Sequence, residues 1–310
     1  MICVYDTTSA SRERSIVIKM KYKIEPYKNK QRFNEQYDEI YNFLLKTADN
    51  GYNEHFHWGR FEWMMCHTFL DVEELEKITL FKDENQIVVG LLTYDTCFAD
   101  NVYLIHSVTD RELLNIMIDF AMQNYKTNEK IMIKVNDNDI SLKKTLSERN
   151  FTKVKKDNTI LTISLAQNHN YCVPEGINIS PQDFIIDTWK YQNVIHKGFN
   201  NEGTPKPWDE EFLKHIPNAN NSLKVFSFNN TEYCSHCGVW YTQGETAYIE
   251  PVATIPEFRK MGLAKAVVYE AINRAKKLGA RRAIVISEQD FYFKIGFTVS
   301  SEIYCWEKEV

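Results

Sequence analysis

The chain has 310 residues, is 44% hydrophobic and 25% charged, and carries 37 Lys+Arg against 42 Asp+Glu for a formal net charge of −5. These are the proportions of a folded globular protein, and they exclude a disordered, collagenous or coiled-coil chain. The mildly acidic balance gives no electrostatic footing for nucleic acid or anionic lipid, and no stretch approaches the roughly 20 apolar residues that cross a bilayer.

The first 20 residues lack a secretory signal, because Ser-Arg-Glu-Arg at 11–14 is charged and the apolar run Ile16–Ile18 is too short for an h-region. They read as a lead without fixed structure, and a strand-like run opens at Lys21. Helical spacing of Phe33, Tyr37, Ile40, Tyr41 and Leu44 predicts a helix over 30–48, and an aromatic-rich helix follows at 60–70. Strands are expected at 76–82, 86–95 and 102–107, a helix at 110–124, a strand at 130–135, a short helix near 140–149 and a closing strand at 159–165.

The same order then repeats. Helices are expected at 181–198 and 208–215, strands at 222–229, 233–242 and 246–254, and a long helix at 262–278. A strand at 282–287, a short helix at 289–295 and a last strand at 297–307 complete the series. Residues 166–176 are polar, contain Pro174 and Gly176 and lack periodicity, which makes them the natural linker between units at 21–165 and 177–310. Seven cysteines, an odd number scattered over a long chain, do not make a disulfide framework and read as a reduced, cytoplasmic protein.

Chemistry concentrates between Thr246 and Phe297. In the strand Thr246–Thr254, alternation puts Tyr248, Glu250, Val252 and Thr254 on one face. Pro251 inside it cannot donate a ladder hydrogen bond, so the strand has a reason to part from a neighbour. The run Arg259-Lys-Met-Gly-Leu-Ala264 leads directly into the long helix. Gly262 permits close backbone approach, and amides converging on a helix N-terminus favour an anion. Arg259 and Lys260 add positive charge, so the loop suits a diphosphate, yet neither a P-loop nor a Gly-x-Gly-x-x-Gly pattern occurs.

This segment resembles the GNAT superfamily of N-acetyltransferases, whose signature is Arg/Gln-x-x-Gly-x-Gly/Ala between a strand and a helix. Arg259, Gly262 and Ala264 fit that signature, and Phe291-Tyr-Phe-Lys-Ile-Gly-Phe297 fits the family's terminal aromatic-Tyr-x-x-x-Gly-Phe run. The resemblance covers about 172–310. It implies an α/β (α+β) fold of two tandem domains, each a mixed, mostly antiparallel central sheet flanked by helices, with splayed central strands.

It also implies acetyl transfer from acetyl-CoA to an amine acceptor, without a metal. The diphosphate would rest on Arg259, Lys260, Met261, Gly262, Leu263 and Ala264, and the pantetheine arm along Val252, Ala253 and Thr254. Glu250 is the candidate base or water activator, and Tyr292 matches the family tyrosine that protonates the departing thiolate. The alternative is a non-catalytic acyl-CoA sensor, which needs only the loop; transfer of another acyl group is a third reading.

The first half departs from the signature. Its counterpart helix follows Val108-Thr-Asp110 with no glycine, and Arg149-Asn-Phe151 has Asn in the Gly position. It reads as a degenerate domain of the same kind. The run His55–Trp63 suits either substrate contact or packing between the halves, and His55, His57 and His67 are a weak metal candidate. Cys234-Ser-His-Cys237 resembles half of a zinc site but lies in a strand, where neighbours face opposite ways. Trp189, Tyr191, His196 and Phe199 read mainly as helix core. Oligomeric state and the acceptor's identity leave no mark in the sequence.

Overall fold

The first helix, α1 (Glu35–Thr47), starts where Asn34 accepts the amide of Tyr37, and it buries Tyr37, Ile40, Phe43 and Leu44 along one face. Similar side-chain caps start α2 (Trp58–Cys66) at His57, α3 (Arg111–Asn124) at Asp110, α4 (Ile140–Glu148) at Asp139 and α5 (Thr188–Gly198) at Asp187. The Asp187 cap explains why α5 begins later than residue 181: the stretch before it, with Pro181, turns rather than coils. Two further helices, α6 (Leu263–Lys277) and α7 (Asp290–Lys294), flank the closing strands of the second half. The computed structural model describes residues 21–67, 70–97, 101–126, 129–205, 207–208 and 216–309. The lead over 1–20 and nearly all of the helix expected at 208–215 lie outside them.

Among the described residues, twelve strands form one mixed sheet. They are β1 (Lys23–Pro26), β2 (Thr79–Lys82), β3 (Val88–Thr93), β4 (Asn101–His106), β5 (Lys130–Asn136) and β6 (Thr152–Ser164) in the first half. The second half supplies β7 (Asn178–Ile179), β8 (Lys224–Phe228), β9 (Tyr233–Trp240), β10 (Thr246–Thr254), β11 (Arg282–Ile286) and β12 (Thr298–Glu309). Their spatial order is β1-β2-β3-β4-β5-β12-β6-β11-β10-β9-β8-β7. Among the described strands only β4 with β5 and β10 with β11 run parallel, so each half is mostly antiparallel with one parallel pair at its centre.

The order carries a feature that periodicity does not reveal. The last strand of the second half, β12, pairs with β5 of the first half from Ile303↔Asn136 to Glu309↔Lys130. The last strand of the first half, β6, pairs with β11 of the second from Arg282↔Ser164 to Ile286↔Ile160. Each half thus completes the other's sheet, and β6 and β12 bind one another along their length. The cores follow suit, since one cluster joins Phe61 and Trp58 to Trp240, Tyr248 and Ile284 across the halves.

Both parallel pairs splay. Strands β10 and β11 are paired only over Thr246–Tyr248 and Arg282–Ile284, and β4 and β5 only over Asn101–Tyr103 and Met132–Lys134. The first half bridges its own gap. Asn53 Nδ2 donates to the His106 carbonyl at 2.8 Å, Asn136 Nδ2 donates to the Gly51 carbonyl at 3.1 Å, and Tyr52 stacks on His106 at 5.1 Å. In the second half, side chains around the corresponding gap line open cavities.

Candidate active site

Two cavities meet at the splay of β10 and β11. One, of about 660 Å³, runs between β10 and the start of α6, lined by Val252, Ala253, Thr254, Arg259, Lys260, Gly262, Leu263 and Ala264. The other, of about 800 Å³, lies between the two halves. Phe199, Val252, Gln289 and Tyr292 line both.

The loop before α6 owes its path to two left-handed residues, Lys260 at φ 65° and Gly262 at φ 82°. Gly262 occupies the N-cap position without a side-chain cap, so amides of the first turn remain available to a ligand. A Cβ built on Gly262 would meet nothing within 4 Å, and the open space there belongs to the cavity. Met261 is exposed and is not among the residues lining the groove. Arg259 turns its guanidinium to protein: Nε donates to the Thr254 carbonyl at 3.1 Å, and Nη2 to the Gly198 carbonyl at 2.9 Å and Asn200 Oδ1 at 2.8 Å. It ties the C-terminus of α5 to the end of β10. Gly198 makes that approach possible, since a Cβ there would lie 2.6 Å from Ala253 Cβ.

Strict alternation fails in the middle of β10. Its register against β9 shifts between Ile249 and Val252, and Tyr248, Ile249, Glu250, Pro251 and Val252 all line the larger cavity. This bulge is held by Trp240, whose Nε1 donates to the Glu250 carbonyl at 2.8 Å, and it fits because Gly238 opposite has no Cβ, which would sit 2.7 Å from that carbonyl.

Glu250 accepts the Tyr248 hydroxyl at 2.7 Å. Burial pushes its carboxyl up to about 7, with Asp95 adding to the rise and Arg60 and Tyr248 opposing it. Arg60 is itself paired with Asp95 at 2.5 Å, and its Nη2 donates to the Tyr103 hydroxyl at 3.2 Å. Tyr292, on α7, is buried against Phe291 and Phe297. Burial pushes its phenol up, so it keeps its proton at neutral pH.

The first half contributes Trp63, Cys66, His67 and Thr96 to the larger cavity. The His55–Trp63 run packs the halves together and also brings Trp63 to the cavity wall. His57 stacks on Tyr248 at 5.3 Å and Trp58 meets Trp240 edge-on at 6.4 Å, which packs the halves, whereas Trp63 faces the cavity. The three histidines serve different places: His55 is fully buried, His57 Nδ1 caps α2 through the Gly59 amide at 3.0 Å, and His67 lines the cavity. Of the aromatics in and just after α5, Tyr191 packs as core and also borders the cavity, Trp189 is exposed, and His196 and Phe199 line the cavity. In β9, His236 Nδ1 contacts the Val225 carbonyl at 3.1 Å, and Cys234 and Cys237 are buried on alternate sides of the strand.

Glu250, Val252, Tyr292 and, from the 259–264 loop, every residue but Met261 line the two adjoining cavities. Sequence reading missed Trp240, Lys224 and Gln289, and it gave no role to Arg60. The regular strand pattern around Trp240 and Lys224 offers no signal for a site; Arg60, between aromatics, offered a faint one.

Residues 193–297 match the model of the Acetyltransferase (GNAT) family. The architecture is similar to that of a GCN5-related N-acetyltransferase from Sphaerobacter thermophilus, at 14% identity, 93% of this chain, 96% of that chain and TM-score 0.53. It is also similar to a tandem GNAT protein from the clavulanic acid biosynthesis pathway, at 11% identity, 93% and 98% coverage and TM-score 0.56. At such identities the likeness is one of fold, and it spans both halves. No curated protein matches the sequence.

Proposed function

We propose, from the premise that residues 193–297 belong to the acetyltransferase (GNAT) family, that this chain moves the acetyl group of acetyl-CoA to a primary amine through a ternary complex. The observation that carries the reading is the meeting of two cavities at Val252 and Tyr292, one beside an anion-suited helix start and one holding a perturbed carboxylate.

Amides of 259–264, together with Lys260, would hold the diphosphate. The edge of β10 released by the splay would pair with the pantetheine arm as an added strand does, along Val252–Thr254. Acetyl-CoA would supply the acetyl group as an activated thioester. The amine nitrogen would bond to the thioester carbonyl carbon as the C–S bond breaks, and a backbone N–H near Val252 would stabilise the negative charge that develops on the oxygen. Glu250 takes the proton released by the amine, directly or through water, and Tyr292 returns one to the departing sulfur. The first half supplies one wall of the acceptor cavity, its own gap being bridged by Asn53 and Asn136. The free Cys66, Cys97, Cys172, Cys234, Cys237 and Cys305 suit a reduced, cytoplasmic setting.

The test is thiol release from acetyl-CoA across a panel of primary amines. Release matched by equal N-acetyl product is expected, and it should vanish in Gly262→Glu, which places a carboxylate in the anion site. The added Cβ meets no protein atom within 4 Å, so the fold should persist at a cost of about 1 kcal/mol for the left-handed backbone. Saturable cofactor binding without thiol release from any amine would favour the sensor reading.

A further inference from the structure

Acetyl transfer explains the carboxylate end of the acceptor cavity but not Lys224. This residue opens β8 and lines the cavity. Its ammonium has Asn221 Oδ1 at 3.1 Å and the Tyr191 ring centroid at 5.9 Å. Among the described residues it forms no ion pair. The nearby acid, Glu62, is committed elsewhere: Oε1 accepts the Asn218 amide at 2.8 Å, and Oε2 accepts Asn218 Nδ2 at 3.0 Å and the Tyr37 hydroxyl. Burial lowers the Lys224 pKa, with Cys66 and Glu62 only partly opposing, as expected of a cation without a matched anion.

Glu250 and Lys224 flank the same recess beside Trp240 and Tyr191, yet they do not pair with each other. One cavity therefore presents two separated charges of opposite sign. Apolar Trp63, Trp208, Ile195 and Ile216 share the lining of that cavity with polar side chains such as His67, Gln192 and Gln289. A ligand that satisfies all three chemistries has a cationic amine, an apolar or aromatic body and an anionic group. A single lysine with one amide neighbour matches a monoanion; a phosphate dianion would leave charge uncompensated among indole rings.

Resting on the acetyl-transfer reading, we infer that the acceptor is an amino carboxylate, its amine facing Glu250 and its carboxylate held by Lys224. A charge-assisted contact of this kind separates acid from neutral analogue by about 10- to 100-fold.

The test compares kcat/KM for 4-(aminomethyl)benzoate and 6-aminohexanoate with that for 4-(aminomethyl)benzamide and hexylamine. In the unaltered protein the acids are expected to lead by at least about tenfold. Lys224→Met should bring that ratio close to one, and Lys224→Arg should retain most of it. A ratio near one in the unaltered protein overturns the inference without any variant, as does a ratio that survives Lys224→Met. If no amine yields thiol while acetyl-CoA still binds, the acetyl-transfer reading fails. Calorimetric titration with benzoate and benzamide probes then decides the role of Lys224 separately. Preferential binding of the acid, lost in Lys224→Met, supports it; equal or absent binding overturns it.

Discussion

At Glu250 the chemistry depends on a local irregularity of the backbone. The bulge in β10, held by the Trp240 indole on the Glu250 carbonyl and by the missing Cβ of Gly238, turns five consecutive residues to one cavity. A carboxyl raised to about 7 is half ionised near neutrality. A base must be deprotonated to act, so kcat/KM should rise as pH increases through about 7 and level off above it. Glu250→Gln is expected to remove that limb and lower the rate by about 10²- to 10⁴-fold. A rate profile that keeps its limb near pH 7 in the variant would assign the base elsewhere. The sign for stability is opposite. A carboxyl whose folded pKa exceeds its unfolded value binds a proton more readily in the native state, so it costs stability as pH rises from about 4.5 to about 7. The neutral Gln should therefore be at least as stable as Glu at pH 8. Glu250 and Gly262 were legible because a strand face and a helix start constrain residues within a few positions. Arg60 and Lys224 were not, because Arg60, paired with Asp95 and acting on Glu250 through its charge, and Lys224, at the cavity wall, come from elements distant in sequence.

At the scale of elements, periodicity located nearly every helix and strand among the described residues but not their neighbours. Alternation says that a segment is a strand; it does not say which edge it joins. The closing strands β6 and β12 cross between the halves for that reason without warning in the sequence. The early part of β6 was hidden differently. Lys153, Lys155 and Lys156 give Thr152–Asp157 an exposed, polar character, yet the segment is held as a strand by β12, with Lys153 stacked on Tyr304 at 3.2 Å. The exchange has a consequence for truncation. Deleting 298–310 removes the partner of β5 as well as of β6, and it exposes two unpaired edges in the middle of the sheet. Such a protein should aggregate or lose cooperative unfolding in a thermal melt monitored by circular dichroism. A sharp melt with near-parental midpoint would show that the crossed strands contribute little.

Over the whole molecule, the two splayed parallel pairs have different surroundings. Where β4 and β5 part, Tyr52 and Asn53 enter and hydrogen bonds from Asn53 and Asn136 close the gap. Where β10 and β11 part, the two cavities open and join at Val252 and Tyr292. The sequence already separated the halves on this point, through Arg259, Gly262 and Ala264 in one and a glycine-free link at 107–110 in the other. It could not show that the first half contributes Trp63 and His67 to the cavity beside β10, because that depends on how the two halves dock. The central claim is a single working cofactor site, and calorimetric titration of the intact chain with acetyl-CoA tests it most directly. The expected result is saturable binding at one site per chain, abolished by Gly262→Glu; two sites per chain, or no binding at millimolar ligand, would contradict it.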